Sequence, residues 1–289
     1  MKIAHTIDEA RKILNITQSE GKRVGFVPTM GFLHQGHLSL VDISKKNSDF
    51  QVMSIFVNKI QFNDKKDYES YPRELERDFS MAREAGIDLM FVPDDSEMYD
   101  SQLSFIDVEL LTNHLCGAYR PGHFRGVYTV VSKLFNIIQP DVSVFGQKDI
   151  QQAVTIEKMV KDLNFPVRIV IAPIIREEGG LAMSSRNKHL TPELRQQAMS
   201  IHRGLTKAES LIRSGEHSAE ILLLEIEKQL MTGRPDKIDY ISLVSYSDLQ
   251  PVTRLETRSV IAVAAFFGPT RLIDNMIIEQ AGDIFRCIY

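Results

Sequence analysis

Through the first 172 residues, short apolar runs of strand length alternate with stretches of helical periodicity. No other feature of the chain restricts its fold as tightly. Residues 7–20 space Ile7, Ala10, Ile13, Leu14 and Ile16 near the helical period, and Gly21 is a natural stop. Arg23–Val27 reads as a buried strand that Pro28, lacking an amide hydrogen, should end. His37–Ser48 then reads as helix and Phe50–Val57 as strand. Pro72–Gly86 follows as helix, opened by a proline suited to a first turn, and Ile87–Val92 as strand. After an irregular stretch the alternation resumes with helix Val127–Ile138, strand Asp141–Phe145, helix Ile150–Leu163 and strand Val167–Ala172. Repeated strand–helix–strand units predict an α/β fold, a parallel sheet with helices on both faces. Sheets of this kind take ligands beyond the carboxyl ends of their strands.

The pattern changes after Ile175. Residues 176–188 are polar and glycine-containing, which predicts a loop. Amphipathic helices over 192–213 and 217–232 precede three strand-like runs near 238–244, 258–266 and 271–279. Helices followed by consecutive strands predict a smaller α+β domain, with the boundary between 175 and 176. Charged residues make up 25% of the chain and hydrophobic ones 43%, a balance that excludes wholesale disorder. A net charge of −4 gives no sign of a nucleic-acid-binding surface. Two cysteines, Cys116 and Cys287, cannot build a disulfide framework or a CxxC zinc site, and they read as buried free thiols. The first residues lack the apolar core of a signal peptide, and no stretch approaches the roughly 20 apolar residues of a membrane span. Cytoplasmic residence without membrane association is the expectation.

The segment Val27-Pro-Thr-Met-Gly-Phe-Leu-His-Gln-Gly-His37 lies where the first long strand hands over to a helix. Amides at a helix start attract phosphate, and Gly31 and Gly36 let a ligand approach the backbone. Two familiar phosphate motifs are excluded. There is no GxGxxG, and His37-Leu38 stands where a P-loop needs Lys-Ser/Thr. His34 and His37, three apart, face the same way, and two imidazoles on one side suit donation to a phosphate gathering charge. The alternative is a pair of unrelated surface histidines.

The run PTMGFLHQGH resembles the PTMGxLHxGH signature of the pantothenate synthetases. These share an HxGH element with nucleotidylyltransferases and class I aminoacyl-tRNA synthetases. Four further segments, in the same order, are similar to that family. Phe56-Val-Asn-Lys-Ile-Gln-Phe62 resembles FVNPxQF, with Lys59 in place of proline. Arg120–Val131 resembles RPGHFxGVxTVV. Phe145-Gly-Gln-Lys-Asp-Ile-Gln-Gln152 resembles FGEKDxQQ, with Gln147 in place of the acid. Arg176–Asn187 resembles RExDGLAxSSRN, with Gly179 in place of an acid. The likeness continues weakly to RLIDNM at 271–276.

The resemblance implies a Rossmann-like domain over residues 1–175 that binds ATP and pantoate. Residues 176–289 would form the smaller domain carrying a mobile phosphate clamp. It also implies an ATP-dependent ligase that makes pantothenate, AMP and pyrophosphate from pantoate and β-alanine through pantoyl-adenylate. ATP would contact Met30, Gly31, Phe32, Leu33, His34, Gln35, Gly36 and His37 after one strand, and Gly146, Gln147, Lys148 and Asp149 after another. Ile175 would meet the adenine through its backbone, and Met183, Ser184, Ser185 and Arg186 would close on the phosphates. Lys148 suits phosphate as a point charge, and Asp149 suits ribose hydroxyls or the lysine. Gln61 and Gln152 would bind pantoate, Asn58 would shape that pocket, and Arg120 suits a carboxylate or phosphate. His123 reads equally as a binding or a structural group. His34, His37, Lys148 and Arg186 are the catalytic candidates, Mg²⁺ the expected ion and a homodimer the expected assembly. Loops 63–71, with Tyr71, and 177–187 are the candidate lids. A nucleotidylyltransferase is the alternative, but its phosphate substrate calls for cations where Gln61 and Gln152 are neutral.

Overall fold

The structure, a computed structural model, describes every residue except Asp64, which falls inside the predicted loop 63–71. Its contacts divide the chain into two compact units. The first comprises Met1–Glu109, Arg120–Gly146 and Thr155–Ala172, and the second Leu110–Tyr119, Gln147–Val154 and Pro173–Tyr289.

The first unit is a six-stranded sheet of β1 (Lys2–Ala4), β2 (Val24–Thr29), β3 (Phe50–Ile55), β4 (Leu89–Phe91), β5 (Val142–Gly146) and β6 (Arg168–Ala172). Their order is β1-β4-β3-β2-β5-β6 and every pairing is parallel. The chain therefore steps outward from β2 through β3 to β4, then reverses to add β5 on the other side of β2. Such a reversal opens a crevice at the carboxyl ends of the two central strands. Val27, Met53 and Met90 face one side with Leu40 and Val41 of helix Gln35–Lys45 and Ala82 of helix Leu75–Glu84. By the two-residue alternation of strands, Phe26, Val52 and Leu89 are buried on the other face, where helix His123–Ile138 meets β2 and helix Ile7–Ser19.

The helix Ile7–Ser19 opens with a capping box of Thr6 and Glu9, a signal the periodicity alone does not carry. Pro28 does not end its strand: β2 stays paired with β3 through Pro28 and Thr29. Pairing of β2 with β5 has already stopped at Phe26, so the ladder on that side loses nothing to the missing amide hydrogen. The strand β1, three residues long, is too short to show as a period.

The second unit is an antiparallel sheet in the order β10-β9-β8-β7, built from β7 (Lys237–Ser245), β8 (Arg258–Phe267), β9 (Thr270–Ala281) and β10 (Ile284–Ile288). Three of these strands coincide with the strand-like runs of the sequence; β10 has no counterpart among them. Helices Ser200–Arg213 and Ala219–Met231 cover one face, with Leu205, Ile212, Leu222 and Ile226 buried against Ile261, Val263 and Met276. Gly204 lets the two helices cross closely, because a Cβ there would lie 3.1 Å from Ile226 Cγ2. The helix expected over 192–213 is interrupted at Met199, whose N–H turns to the Gln197 carbonyl instead of four residues back. Both cysteines are free thiols, but each is partly exposed rather than buried as expected. Burial of part of Cys287 still pushes its thiol up to about 12, too high for thiolate chemistry at neutral pH. Among the described residues no helix is long and apolar enough to cross a membrane.

Candidate functional site

In the first unit the loop after β2 is held from below by a carboxylate. Asp78, fully buried on helix Leu75–Glu84, accepts from the amides of Phe32 and Leu33, each at 2.7 Å. Burial pushes the Asp78 carboxyl up, and the two amides offset this only in part. Gly31 has φ +81°, and a Cβ on it would meet Ile55 Cγ2 at 2.9 Å and Asp78 Oδ2 at 3.0 Å. The glycine is thus required by both its backbone and its neighbours.

This loop delivers His34 to the cap of helix Gln35–Lys45. The helix starts at Gln35, two residues before the sequence expectation. His34 Nδ1 accepts from the Gly36 amide at 3.1 Å, and His37 Nδ1 accepts from the His34 amide at 3.3 Å. The rings lie 4.1 Å apart. A ring nitrogen that accepts carries no hydrogen, so these bonds assign the proton of each neutral imidazole to Nε2. Two amides expected to meet phosphate directly are instead capped by the histidine rings.

A second cluster of the same unit surrounds Gln61, which ends the short 3₁₀ turn Lys59–Gln61 after β3. Asn58 is buried and donates to Gln61 Oε1 at 2.8 Å and to the Gly126 carbonyl at 3.0 Å. Tyr99 donates its hydroxyl to Asn58 Oδ1 at 2.6 Å, and burial pushes that phenol upward so that it remains a donor. Gln61 Nε2 points to Met30 Sδ at 3.0 Å, joining this turn to the loop after β2. His123 Nδ1 lies 2.7 Å from the Gln61 carbonyl, which only accepts, so the ring donates there. Its Nε2 then accepts from Arg120 Nη1 at 3.3 Å. The histidine is a neutral strut linking Arg120 to the turn. Gly126 makes the approach possible: a Cβ would fall 2.6 Å from the Ile60 carbonyl oxygen. Tyr71 is buried, its ring 5.8 Å from that of Phe62.

In the second unit, Gln147–Asp149 forms a 3₁₀ turn. Asn275 of β9 donates to the Gln147 and Lys148 carbonyls at 2.9 and 3.0 Å. The Lys148 ammonium sits 3.4 Å from Asp149 Oδ2. Gln151 is structural, clasping the Leu111 and His114 carbonyls and the Gly117 amide, whereas Gln152 is half-buried.

The segment expected to be an irregular loop is a tight hairpin. Met183 N–H donates to the Ile175 carbonyl at 2.9 Å, Glu177 N–H to the Leu181 carbonyl at 2.8 Å, and Arg176 pairs with Ala182. Gly179 and Gly180 turn it at φ +87° and +96°. Ser184 caps the following 3₁₀ helix Ser185–His189 by accepting from the Arg186 amide at 3.2 Å. Asn187, buried, ties that helix to Glu177 Oε1 at 2.6 Å and to the Ala182 carbonyl at 3.1 Å.

Residues 2–277 match the family profile described as Pantoate-beta-alanine ligase. The pantothenate synthetase of Thermoanaerobacter sp. (strain X514) is 49% identical, over 96% of this chain and 98% of its own. The crystal structure of the pantothenate synthetase from Thermus thermophilus superposes with a TM-score of 0.89 at 42% identity, covering 95% of this chain and 98% of that one. A third similar protein is the pantoate-β-alanine ligase of Francisella tularensis, solved in complex with "Beta-gamma ATP" and β-alanine. It gives a TM-score of 0.78 at 36% identity, covering 95% and 97%.

The chain belongs to the pantoate–β-alanine ligase family.

Its three departures from the family's motifs have local explanations. Lys59 heads the turn before Gln61 and pairs with Asp95 at 3.3 Å, so a charge contact stands where proline would stiffen the chain. Gly179 sits at φ +87°, a conformation that side chains strain, and a Cβ there would also displace the flexible end of Met199. Gln147 uses its amide as a double donor, to Asn275 Oδ1 and the Ile288 carbonyl. Sequence reasoning missed Asp78 and Tyr99, and gave no role to Gly126 within its motif. Asp78 stands four residues before Ala82 on the buried face of its helix, the one signal that could have marked it. Nothing local marks Tyr99.

Proposed function

We propose that this chain joins pantoate to β-alanine in two steps using ATP. The pantoate carboxylate attacks the α-phosphorus and pyrophosphate leaves. The β-alanine amine then attacks the acyl carbon of pantoyl-adenylate, loses a proton, and AMP leaves. The observation that carries the residue assignment is the paired imidazoles at the helix start, both capping through Nδ1 so that each ring's N–H is the one at Nε2.

In the first unit, His34 and His37 donate to the α-phosphate as its oxygens gain charge, aided by the backbone of Met30 to Gly36. Gln61 binds pantoate, with Asn58 fixing its amide and Arg120 supplying charge to a carboxylate or phosphate. In the second unit, Lys148 and Arg186 neutralise the departing pyrophosphate. Asp149 orients Lys148, Gln147 lends backbone beside Gly146 of the first unit, Gln152 binds pantoate, Ile175 meets adenine, and Met183, Ser184 and Ser185 complete the clamp. Among the described residues no group of three His, Cys, Asp or Glu side chains is arranged to hold a metal. Mg²⁺ would enter with the triphosphate, as suits an ion that keeps its waters and phosphate oxygens rather than a protein cage. A cytoplasmic homodimer is the assembly we propose.

The family match disfavours a nucleotidylyltransferase, and turnover separates the two. AMP release from ATP and pantoate should require β-alanine, while pyrophosphate–ATP exchange should require pantoate alone. Exchange without pantoate, or AMP release unaffected by β-alanine, would overturn the proposal.

A further inference from the structure

The family match ends at residue 277, yet the chain continues through the end of β9 and turns back as β10. The last strand pairs with β9 from Ile284 opposite Ala281 to Ile288 opposite Ile277. Its last residues reach the starts of two segments proposed above to hold ATP. The Ile288 carbonyl accepts from Gln147 Nε2 at 2.8 Å. The ring of the next residue, Tyr289, lies 5.2 Å from the Arg176 guanidinium, a cation–π contact.

Both contacts are half of a pair. The other halves come from two consecutive residues of β9. Asp274 holds Arg176 in a bidentate ion pair at 2.6 and 3.1 Å, and Arg176 donates in turn to the Gly180 carbonyl inside the hairpin at 2.9 Å. Asn275 accepts from Gln147 Nε2 at 3.3 Å while donating to the Gln147 and Lys148 carbonyls. Tyr289 is itself anchored, its hydroxyl donating to Glu209 Oε2 at 2.8 Å.

Gln147 is the revealing position. Its terminal amide gives both hydrogens to oxygens, Ile288 O and Asn275 Oδ1. A glutamate, the residue of the family motif, is acceptor-only when ionised and would face two acceptors. Gln147 and β10 therefore fit each other.

We propose that Ile284–Ile288 with Tyr289 is a positioning strap for the ligase reaction. It fixes the Gln147-Lys148 turn and the base of the Arg176–Arg186 hairpin in one register, so that Lys148 and Arg186 are set for the triphosphate before ATP arrives. Gln147 and Tyr289 are positioning residues, acting through Lys148 and the hairpin. The proposal rests on the ATP-dependent reading above.

The test compares Gln147→Glu, Tyr289→Ala, their double variant and Tyr289→Phe in the full chain. Each of the first two should lower kcat/KM for ATP in pyrophosphate release by about tenfold, the scale of coupling between contacting residues. Attack of β-alanine on preformed pantoyl-adenylate should be unchanged. The double variant should fall no further than the worse single one, since both release the same strap. Tyr289→Phe keeps the ring against Arg176 but loses the Glu209 hydrogen bond, and should fall between wild type and Tyr289→Ala. Multiplying losses, equal slowing of both half-reactions, or unchanged ATP kinetics in an active enzyme would overturn the strap. Hydrogen exchange gives a readout independent of activity. Gln147→Glu should speed exchange at 284–288 and 176–183 while Ser200–Arg213 stays protected, and unchanged exchange at those two segments sinks the idea. A wild-type chain that releases no pyrophosphate would count against the ligase reading instead.

Discussion

An imidazole that accepts a backbone hydrogen bond at Nδ1 has its tautomer chosen for it, and in this chain both His34 and His37 do so. Structure and chemistry are thereby separable at His34. Asparagine is a strong N-cap and its Oδ1 can replace Nδ1, but it offers nothing in place of Nε2–H. His34→Asn should retain the melting temperature and lose about 10²–10³ in kcat, the usual effect of removing one preorganised donor. Steady-state kinetics beside a thermal melt decide this, and near-normal turnover removes His34 from the chemistry. Tyr99 invites a similar test. Phenylalanine there would leave the buried Asn58 Oδ1 without its 2.6 Å donor, a loss of about 1–3 kcal/mol. Part of that should appear as looser holding of Gln61. Calorimetric titration of Tyr99→Phe is expected to show weaker pantoate binding with ATP binding unchanged; weakening of ATP alone would separate this cluster from pantoate.

At the scale of elements, the hairpin over 175–183 and the 3₁₀ helix Ser185–His189 replace the irregular loop that polarity predicts. Composition reported the glycines and serines correctly. It could not report that Asn187 would bridge the two halves, or that Arg195 would bind Glu177 and the Asn187 carbonyl. The proposed clamp therefore has Arg186 on a built element. If Arg186 serves the leaving pyrophosphate, Arg186→Ala should slow adenylation by about 10²-fold or more. It should leave attack of β-alanine on preformed pantoyl-adenylate largely intact. Single-turnover measurement of each half-reaction checks this; equal slowing of both would extend the clamp's role to the intermediate. The strands β1 and β10 teach the opposite lesson. They are short, and strand identity over so few residues is set by the neighbour they pair with, not by their own pattern.

For the molecule as a whole, acid sensitivity should reflect His202. Burial lowers its pKa first, the nearby Arg176 lowers it further, and Asp274 and Glu209 oppose them only in part. Its Nδ1 is buried with no hydrogen-bond partner. A base whose folded pKa is depressed binds fewer protons folded than unfolded. Its contribution is fully present above the ordinary histidine value of about 6.5 and is lost as pH falls toward the lowered one. Urea unfolding should therefore show stability declining below about pH 6.5, with a shallower decline in His202→Asn. Equal slopes would assign the effect elsewhere. The proposed homodimer should give twice the mass of one chain by light scattering at micromolar concentration, and a single-chain mass would exclude it.

Legible in the sequence were the order of strands and helices in the first unit, the change of character after Ile175 and the five motifs similar to those of the family. These are local properties: periodicity, turn chemistry and short spacings are all written within about a dozen residues. The tertiary structure decided that β5 lies beside β2, which gives the sheet its crevice. It also decided which side chains support the motifs. Asp78 lies 45 residues from Leu33, Tyr99 41 residues from Asn58, and Gly126 68 residues from Asn58. It drew Gln147–Val154 into the unit formed by Pro173–Tyr289, whereas the sequence pattern set a boundary at 175. Contacts of that range arise only when the sheet order and helix crossings bring distant segments together. A buried carboxylate or phenol is then selected by the donors and acceptors it meets there, and no neighbour in sequence announces them.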